Sequence, residues 1–497
     1  MQRRVLLGVG AAVLALAAGF LALRSMTRNE AGKAVDQTID QIVATLPPGY
    51  GATHGTTDVN PITGSVVVHD FAVSYGGRPL WAAEKVSLTG VDQQALNDIF
   101  DPHAYPAGRP AWTNRRTLVT DAAFTGWHST APGSGAAAIE AITLHHLDGR
   151  PFTAPPTPEV MQTPSFRADS ALAFAVDSLE LHGLSLNDSS GKHSHITLAS
   201  LQLHGYDGGF VQSIELHDAA FDGGNFRRNQ RLHAGLGSID VTRLDARPFL
   251  QQIKDTNIVD QASLAGLSYA SSDMSGFDLE VSPGPRIALQ DLHGQQSPGD
   301  AEGIKTGEGS MTGLTISVKD MALPPPQQAA VAAFGMNSVT IDAAGKSRSR
   351  VSPAQSDVTE DLDFHQLGKL HLSLSISGYN RPAAGQDPKA ALLDATLDHA
   401  TVEWDDGSLV NRVLSVAAHQ AGTTVDVLRA QLAIPVVTAG LMVPDQPDVA
   451  DQLTAFLNHP NTLVVTLNPP QKVTLAEVGQ APATSRAHLL GLHIEAK

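Results

Sequence analysis

The chain has 497 residues, enough for two to four folding units and a sizeable core. Acids outnumber bases 50 to 33, for a net charge of -17. That balance excludes a basic face that grips phosphates, so no nucleic-acid partner is expected. The absence of cysteine removes disulfides, thiolate nucleophiles and Cys-ligated zinc or iron-sulfur centres.

Residues 5–23 carry no charge and follow Arg3 and Arg4. At ~1.5 Å per residue they cover about 28 Å, the thickness of bilayer hydrocarbon. Residues 1–28 are therefore read as a cytoplasmic tip and a transmembrane anchor. Ala15-Leu16-Ala17 fits a small-x-small cleavage site, so secretion after signal cleavage is the alternative. Arg24, Arg28 and Lys33 follow the span and nearly balance the positive charge before it. A polar body behind one N-terminal span is most simply the periplasmic ectodomain of a single-pass inner-membrane protein.

Residues 29–150 are predicted to hold a helix and an N-terminal β-region. Val35, Ile39, Ile42, Val43 and Leu46 recur at helical spacing until Pro47-Pro48-Gly49 ends the pattern. From Ser65 the alternation changes to period two, the signature of a strand with one buried face. Asp92 caps a short helix through Phe100. Five prolines between Pro151 and Pro164 read as an extended linker. Short strands then dominate a repeated body over residues 165–380, with loops expected at Ser297–Gly309 and Lys346–Ser356.

That body contains an internal repeat. Ser, an aliphatic residue, any residue, Leu or Val, His, then Gly or Asp occurs at Ser65–Asp70, Ser178–Gly183, Ser200–Gly205 and Ser213–Asp218. In a strand, the second and fourth positions share a face. Leu179, Leu181, Leu201, Leu203, Ile214 and Leu216 would thus build one apolar surface, with Gly or Asp turning the chain. Looser relatives lie at Ile142–His146, Ile287–Gly294, Ser338–Asp342 and Leu370–Gly378. Strand repeats that need a neighbour imply stacked hairpins in one extended or curved antiparallel sheet. The apolar surface is either an open groove for an acyl chain or the core of a sandwich.

Residues 390–497 are read as strands around a helical cap. Leu397–Trp404 precedes the helical stretches LVNRVLSVAAHQA, VDVLRAQL and DVADQLTAFL, and Leu463–Leu467 and His488–Glu495 follow. Ile434–Val443 contains Pro435 and is too short for a second span. The helices are expected to cover an open end of the sheet, whose unpaired edges invite aggregation.

Catalytic signatures are weak. His193 and His195 share a strand face and lie near His182, His204 and His217. Imidazoles suit zinc or copper, but HExxH and a convergent third ligand are not evident, so the histidines are assigned to a wet face. Ser189-Ser190-Gly191-Lys192 satisfies S-x-x-K but sits in a turn sequence without its companion motifs. Asp357, Glu360, Asp361 and Asp363 cluster without the glycine and final glutamate of an EF-hand, which assigns them to a solvated loop. No enzyme activity, cofactor or metal is predicted.

The anchor, the helix ending in Leu46-Pro47-Pro48-Gly49, and Gly64-Ser65-Val66-Val67-Val68-His69-Asp70-Phe71 resemble the openings of AsmA-like proteins and of the YdgA-like family of unknown function. Thr401–Arg412 resembles a C-terminal element of alphaproteobacterial envelope proteins of unknown function. The AsmA resemblance implies a membrane-tethered β-groove in lipid traffic or outer-membrane upkeep. Expected partners are therefore the membrane, a phospholipid or other acyl-chain ligand, or other envelope proteins.

Overall fold

The computed structural model describes residues 50–497 except 61–62, 106–107, 111, 130–135, 158, 189–193, 225–229, 260–266, 298, 301–302, 319–320, 322, 351–352, 380–391 and 433–447. The anchor at 5–23, the helix expected over 30–46, Ser189, Lys192, His193 and the stretch Ile434–Val443 lie outside the described residues. Among the described residues no helix is long and apolar enough to cross a membrane. The chain divides into two compact units, Met1–Tyr269 and Ala270–Lys497, a boundary inside the stretch the sequence reads as one repeated body. Both units are mainly β.

The first unit is an antiparallel meander. Its strands are β1 (Tyr50–Thr53), β2 (Thr57–Asn60), β3 (Ser65–Tyr75), β4 (Arg78–Thr89), β5 (Arg116–Ser129), β6 (Ala136–Gly149), β7 (Phe174–Asn187), β8 (His195–Asp207), β9 (Phe210–Gly224) and β10 (Arg231–Asp245). From β3 to β10 each strand pairs with the next, while β1 and β2 both pair with β3. Tight turns at Gly76-Gly77 and Gly208-Gly209 use positive φ at both central residues, the twist-matched geometry of two-residue hairpins.

The strands are long, and the repeat explains how they stay amphipathic. Its final Gly or Asp does not turn the chain as expected. Asp70, Gly183, Gly205 and Asp218 sit inside β3, β7, β8 and β9 with φ of 52°, 64°, 60° and 51°. A left-handed residue resets the alternation, so the apolar phase slips by one while the buried face continues. On β3 the buried residues are Val66 and Val68, then, across Asp70, Phe71 and Val73.

Register shows that every strand from β3 to β10 has an equivalent left-handed position, which for β4 is Gly90, just past its last residue. The left-handed residues fall in two rows across the sheet, on alternate strands in each row. One row runs Asp70, Glu84, Gly126, Glu140, Gly183, Ala199, Asp218 and Gly237; Asp70, Gly126, Gly183 and Asp218 are left-handed. The other runs Gly90, Thr120, His146, Asp177, Gly205, Gln212 and Arg243; Gly90, His146, Gly205 and Arg243 are left-handed. Between the rows the repeats pair position for position: Ser178 faces His204, Leu179 faces Leu203, Leu181 faces Leu201 and His182 faces Ser200.

The main core of this unit lies at β2–β5. Val66, Val68, Val86, Leu88 and Trp81 pack with Leu96 and Ile99 of α1 (Gln93–Phe100). Asp92 caps α1 as predicted, its Oδ1 accepting from the Ala95 N–H at 3.0 Å. Phe152 joins this core and makes ring contacts with Phe100, Phe166 and Phe174. The buried Tyr105 hydroxyl donates to the Ile99 carbonyl at 2.9 Å and accepts from the Phe152 N–H at 3.0 Å. Tyr105→Phe strands that N–H in an apolar setting and is expected to cost about 1–3 kcal/mol, measured by urea unfolding followed by tryptophan fluorescence.

The proline-rich stretch is not wholly extended. Pro164 opens α2 (Pro164–Ala173), and Thr163 caps it by accepting from the Phe166 N–H at 3.2 Å. Proline is favoured at the first helical position because its missing N–H has no intrahelical partner there. α2 packs on α3 (Arg247–Thr256), where Ser165 Oγ donates to the Lys254 carbonyl at 2.6 Å. Asp169 joins the two helices. Its side chain is 4% exposed, lies 2.9 Å from both Arg150 and Lys254, and accepts from the Thr153 N–H.

The second unit is also antiparallel and sequential: β11 (Ser271–Ser282), β12 (Arg286–Gln296), β13 (Ile304–Ser317), β14 (Ser338–Arg350), β15 (Gln355–Phe364), β16 (Gly368–Ser377) and β17 (Thr396–Asp406). β17 then pairs with β18 (Thr462–Leu467) and β19 (Val473–Thr474), and β18 pairs with β20 (Leu492–Ala496). Much of Ser297–Gly309 and Lys346–Ser356 is strand, not loop, because cross-strand pairing with β12 and β15 overrides their weak β composition.

Its helices include α4 (Pro325–Phe334), α5 (Leu409–Ala421), a segment over 425–432, and α6 (Val449–Asn458). α5 ends at Gly422 with φ 64°, and α6 packs on β20, Gln452 Oε1 accepting from the Ala496 N–H at 2.8 Å. His488–Glu495 is not a continuous strand. α7 (Leu475–Gln480) and α8 (Ala483–Leu490) precede β20, and left-handed Gly491 separates α8 from it.

Candidate functional site

The aliphatic repeat positions form a lattice on one face of β7–β9. Leu179, Leu203 and Ile214 make one cross-strand line, and Leu181, Leu201 and Leu216 the next. Leu144 and Ile142 continue the two lines on β6, and Val241 and Ile239 continue them on β10. The equivalent Val66, Val68, Val86 and Leu88 of β3 and β4 are buried in the core that includes Leu96 and Ile99 of α1, whereas every residue of the lattice keeps part of its surface exposed.

Strands lie about 4.8 Å apart, so the lines from Phe124 and Ala122 on β5 to β10 reach about 24 Å. That exceeds the ~15 Å of hydrocarbon in one leaflet. The surface of these aliphatic side chains offers dispersion contacts, which suit an apolar chain.

Among the described residues, His182, His195, His204 and His217 form no group of three ligands with one another. His195 Nε2 lies 3.2 Å from Ser185 Oγ, and His182 lies 3.6 Å from Glu180 on its own strand. His204 faces Ser178 and Ser213 in register. His217 has a different setting. Glu215 of β9 stands opposite Asp240 of β10, His217 is two residues along from Glu215, and the ligand atoms of all three lie within 4.8 Å of one another. Sequence reasoning singled out His217 but missed Glu215 and Asp240. The repeat's third position and the β9–β10 register are the signals that locate them.

Elsewhere histidine meets aspartate as a direct cross-strand pair: His145 with Asp121 at 2.7 Å, His233 with Asp222 at 2.7 Å, His293 with Asp273 at 2.5 Å and His371 with Asp361 at 2.6 Å. The acids taken for a solvated loop lie on β15. Asp357 accepts from Ser375 Oγ at 2.6 Å, Asp361 meets His371, Asp363 meets Lys369 at 3.1 Å, and Glu360 falls on the other face. They do not form a calcium cage. Asp361 and Asp363 instead line an open depression of about 500 Å3 with Asp342, Lys369, His371 and Glu403. The Gly313 N–H, and after it the His365 imidazole, hold the Asp342 carboxyl below the usual carboxylate range.

A family model described as "Uncharacterized protein" matches residues 361–497, from within β15 to the last residue and including Thr401–Arg412. No curated protein matches the chain.

Proposed function

We propose that this is a non-enzymatic, membrane-anchored protein of the bacterial envelope that binds the acyl chain of a lipid along the aliphatic lattice of β6–β10. The carrying observation is that Leu179, Leu181, Leu201, Leu203, Ile214 and Leu216 are aligned in register and left part-exposed. The corresponding positions of β3 and β4 are buried in a core that includes Leu96 and Ile99 of α1. The uncharged stretch at residues 5–23 supports the anchor, and the likeness of the N-terminal motifs to AsmA-like and YdgA-like proteins supports an inner-membrane site with a periplasmic body.

The test places a photo-crosslinking amino acid at Leu203 or Leu216 of the full chain in cells, with Gln202 on the opposite face as control. Lipid adducts at both leucines and not at Gln202, found by mass spectrometry, are the expected result. Protein adducts alone at the leucines would replace lipid binding with a scaffold that docks other envelope proteins. The anchor has its own test. Val13→Arg places a charge mid-span at a cost of about 3 kcal/mol on translocon scales, and membrane fractionation should show the chain released or lost.

A further inference from the structure

The face of β9 and β10 opposite the aliphatic lattice carries the trio Glu215, His217 and Asp240. Glu215 and Asp240 are directly opposed across the strand pair, a placement that is destabilising for like charges. Their in-register neighbours, Gln202 and Ser200 on β8 and Ser238 on β10, bring no lysine or arginine, and His204 lies one same-face position farther along, opposite Ser213. The other cross-strand histidines described above close onto an aspartate at 2.5–2.7 Å. Here the imidazole and both carboxylates, all three part-buried, bring one nitrogen and two oxygen donors within 4.8 Å of one another.

We propose that Glu215, His217 and Asp240 form a binding site for a divalent first-row transition ion, with zinc as the reference case. A cation of charge two neutralises the opposed carboxylates. One imidazole with two carboxylates is a donor set that zinc accepts, whereas calcium takes six to eight oxygens. Ligand atoms around one tetrahedral zinc sit about 3.4 Å apart at bond lengths near 2.1 Å, and side-chain rotation can bring donors already within 4.8 Å of one another to that spacing. The ion clamps β9 to β10 and leaves its remaining coordination positions to water.

The full chain, purified in detergent and stripped with chelator, is equilibrated with Zn2+ and assayed for bound metal and thermal unfolding beside Glu215→Gln, Asp240→Asn and His217→Gln. Wild type should retain one more zinc per chain than each variant, and zinc should raise its midpoint but not theirs. Without zinc, Asp240→Asn should melt no lower than wild type, because it removes the opposed charge; a merely structural Asp240 would give a lower midpoint. His204→Ala, on the neighbouring strand, should bind as wild type does. Equal zinc in wild type and all three variants, or a zinc-induced shift that survives in them, overturns the proposal. Should a variant fail to fold, zinc protection of His217 from diethyl pyrocarbonate, with His204 unprotected, reads the site in the wild-type chain; equal modification of both overturns it.

Discussion

Asp169→Ala is expected to destabilise the first unit by about 3–5 kcal/mol, because removing one partner of a buried ion pair leaves its counterpart uncompensated. Here two cations, Arg150 and Lys254, lose their shared anion, and the Thr153 N–H loses its acceptor. The damage should concentrate where α2 packs on α3. Urea unfolding followed by circular dichroism measures the size, and hydrogen exchange of the α2 and α3 amides measures the place. Acid supplies a second readout. Burial is the largest single influence on the Asp169 carboxyl and acts to raise its pKa, but Lys254, the Thr153 amide and Arg150 together outweigh it, so the folded value is lowered. A carboxyl with a lowered folded pKa stabilises fully above its unfolded value, about 4, and loses that contribution as pH falls through the folded value. The gap between wild type and Asp169→Ala should therefore be full at neutral pH and shrink below about pH 4. A gap that stays constant into acid would show that lost packing, not charge, causes the damage.

Gly183→Val is expected to cost about 2–4 kcal/mol, the sum of a left-handed penalty for a branched residue and overpacking against a neighbour. Gly183 has φ 64°, and the stem of Glu140 on β6 lies over it, so an added Cβ would fall within contact distance of Glu140 Cγ. Ala199 occupies the next place in the same row, on β8, and is exposed. It lacks the positive φ, so Ala199→Val should change stability by less than about 0.5 kcal/mol. Comparable losses at both positions in urea unfolding would show that the row tolerates no side chain, whatever the backbone conformation.

The repeat made the strands, the aliphatic face and their approximate order legible, because Ser-x-x-x-His spacing with aliphatic residues between is a period-two signal. It hid the left-handed rows, since Gly and Asp are also the commonest turn residues. The overlooked clue is a change of parity: on β7 the aliphatic positions run Val176, then Leu179 and Leu181, then Leu184 and Leu186. A chain turning at Gly183 has no reason to resume its alternation one residue out of step. α2 was masked by composition, its Thr-Pro start lost among prolines that otherwise suggest a linker. The Glu215–His217–Asp240 trio was half legible, because Glu215 and His217 share a strand while Asp240 is brought in by pairing alone. The opposite misjudgement affected Asp357, Asp361 and Asp363, whose charge reads as loop although each is matched across the strand by Ser375, His371 or Lys369.

The alternation of left-handed residues between the two rows restricts how such a protein can change length. Adjacent strands place their left-handed residue at opposite ends of the shared window, so a strand and its neighbour together form the smallest unit that can be copied or deleted without spoiling both rows. Deleting β7 and β8 together would bring β9 beside β6 in the same orientation and register, with Leu216 meeting Ile142 and Ile214 meeting Leu144. Deleting β7 alone would reverse every later strand. Related chains that differ in reach should therefore differ by even numbers of strands, and lengthening this sheet by design is a matter of inserting hairpins.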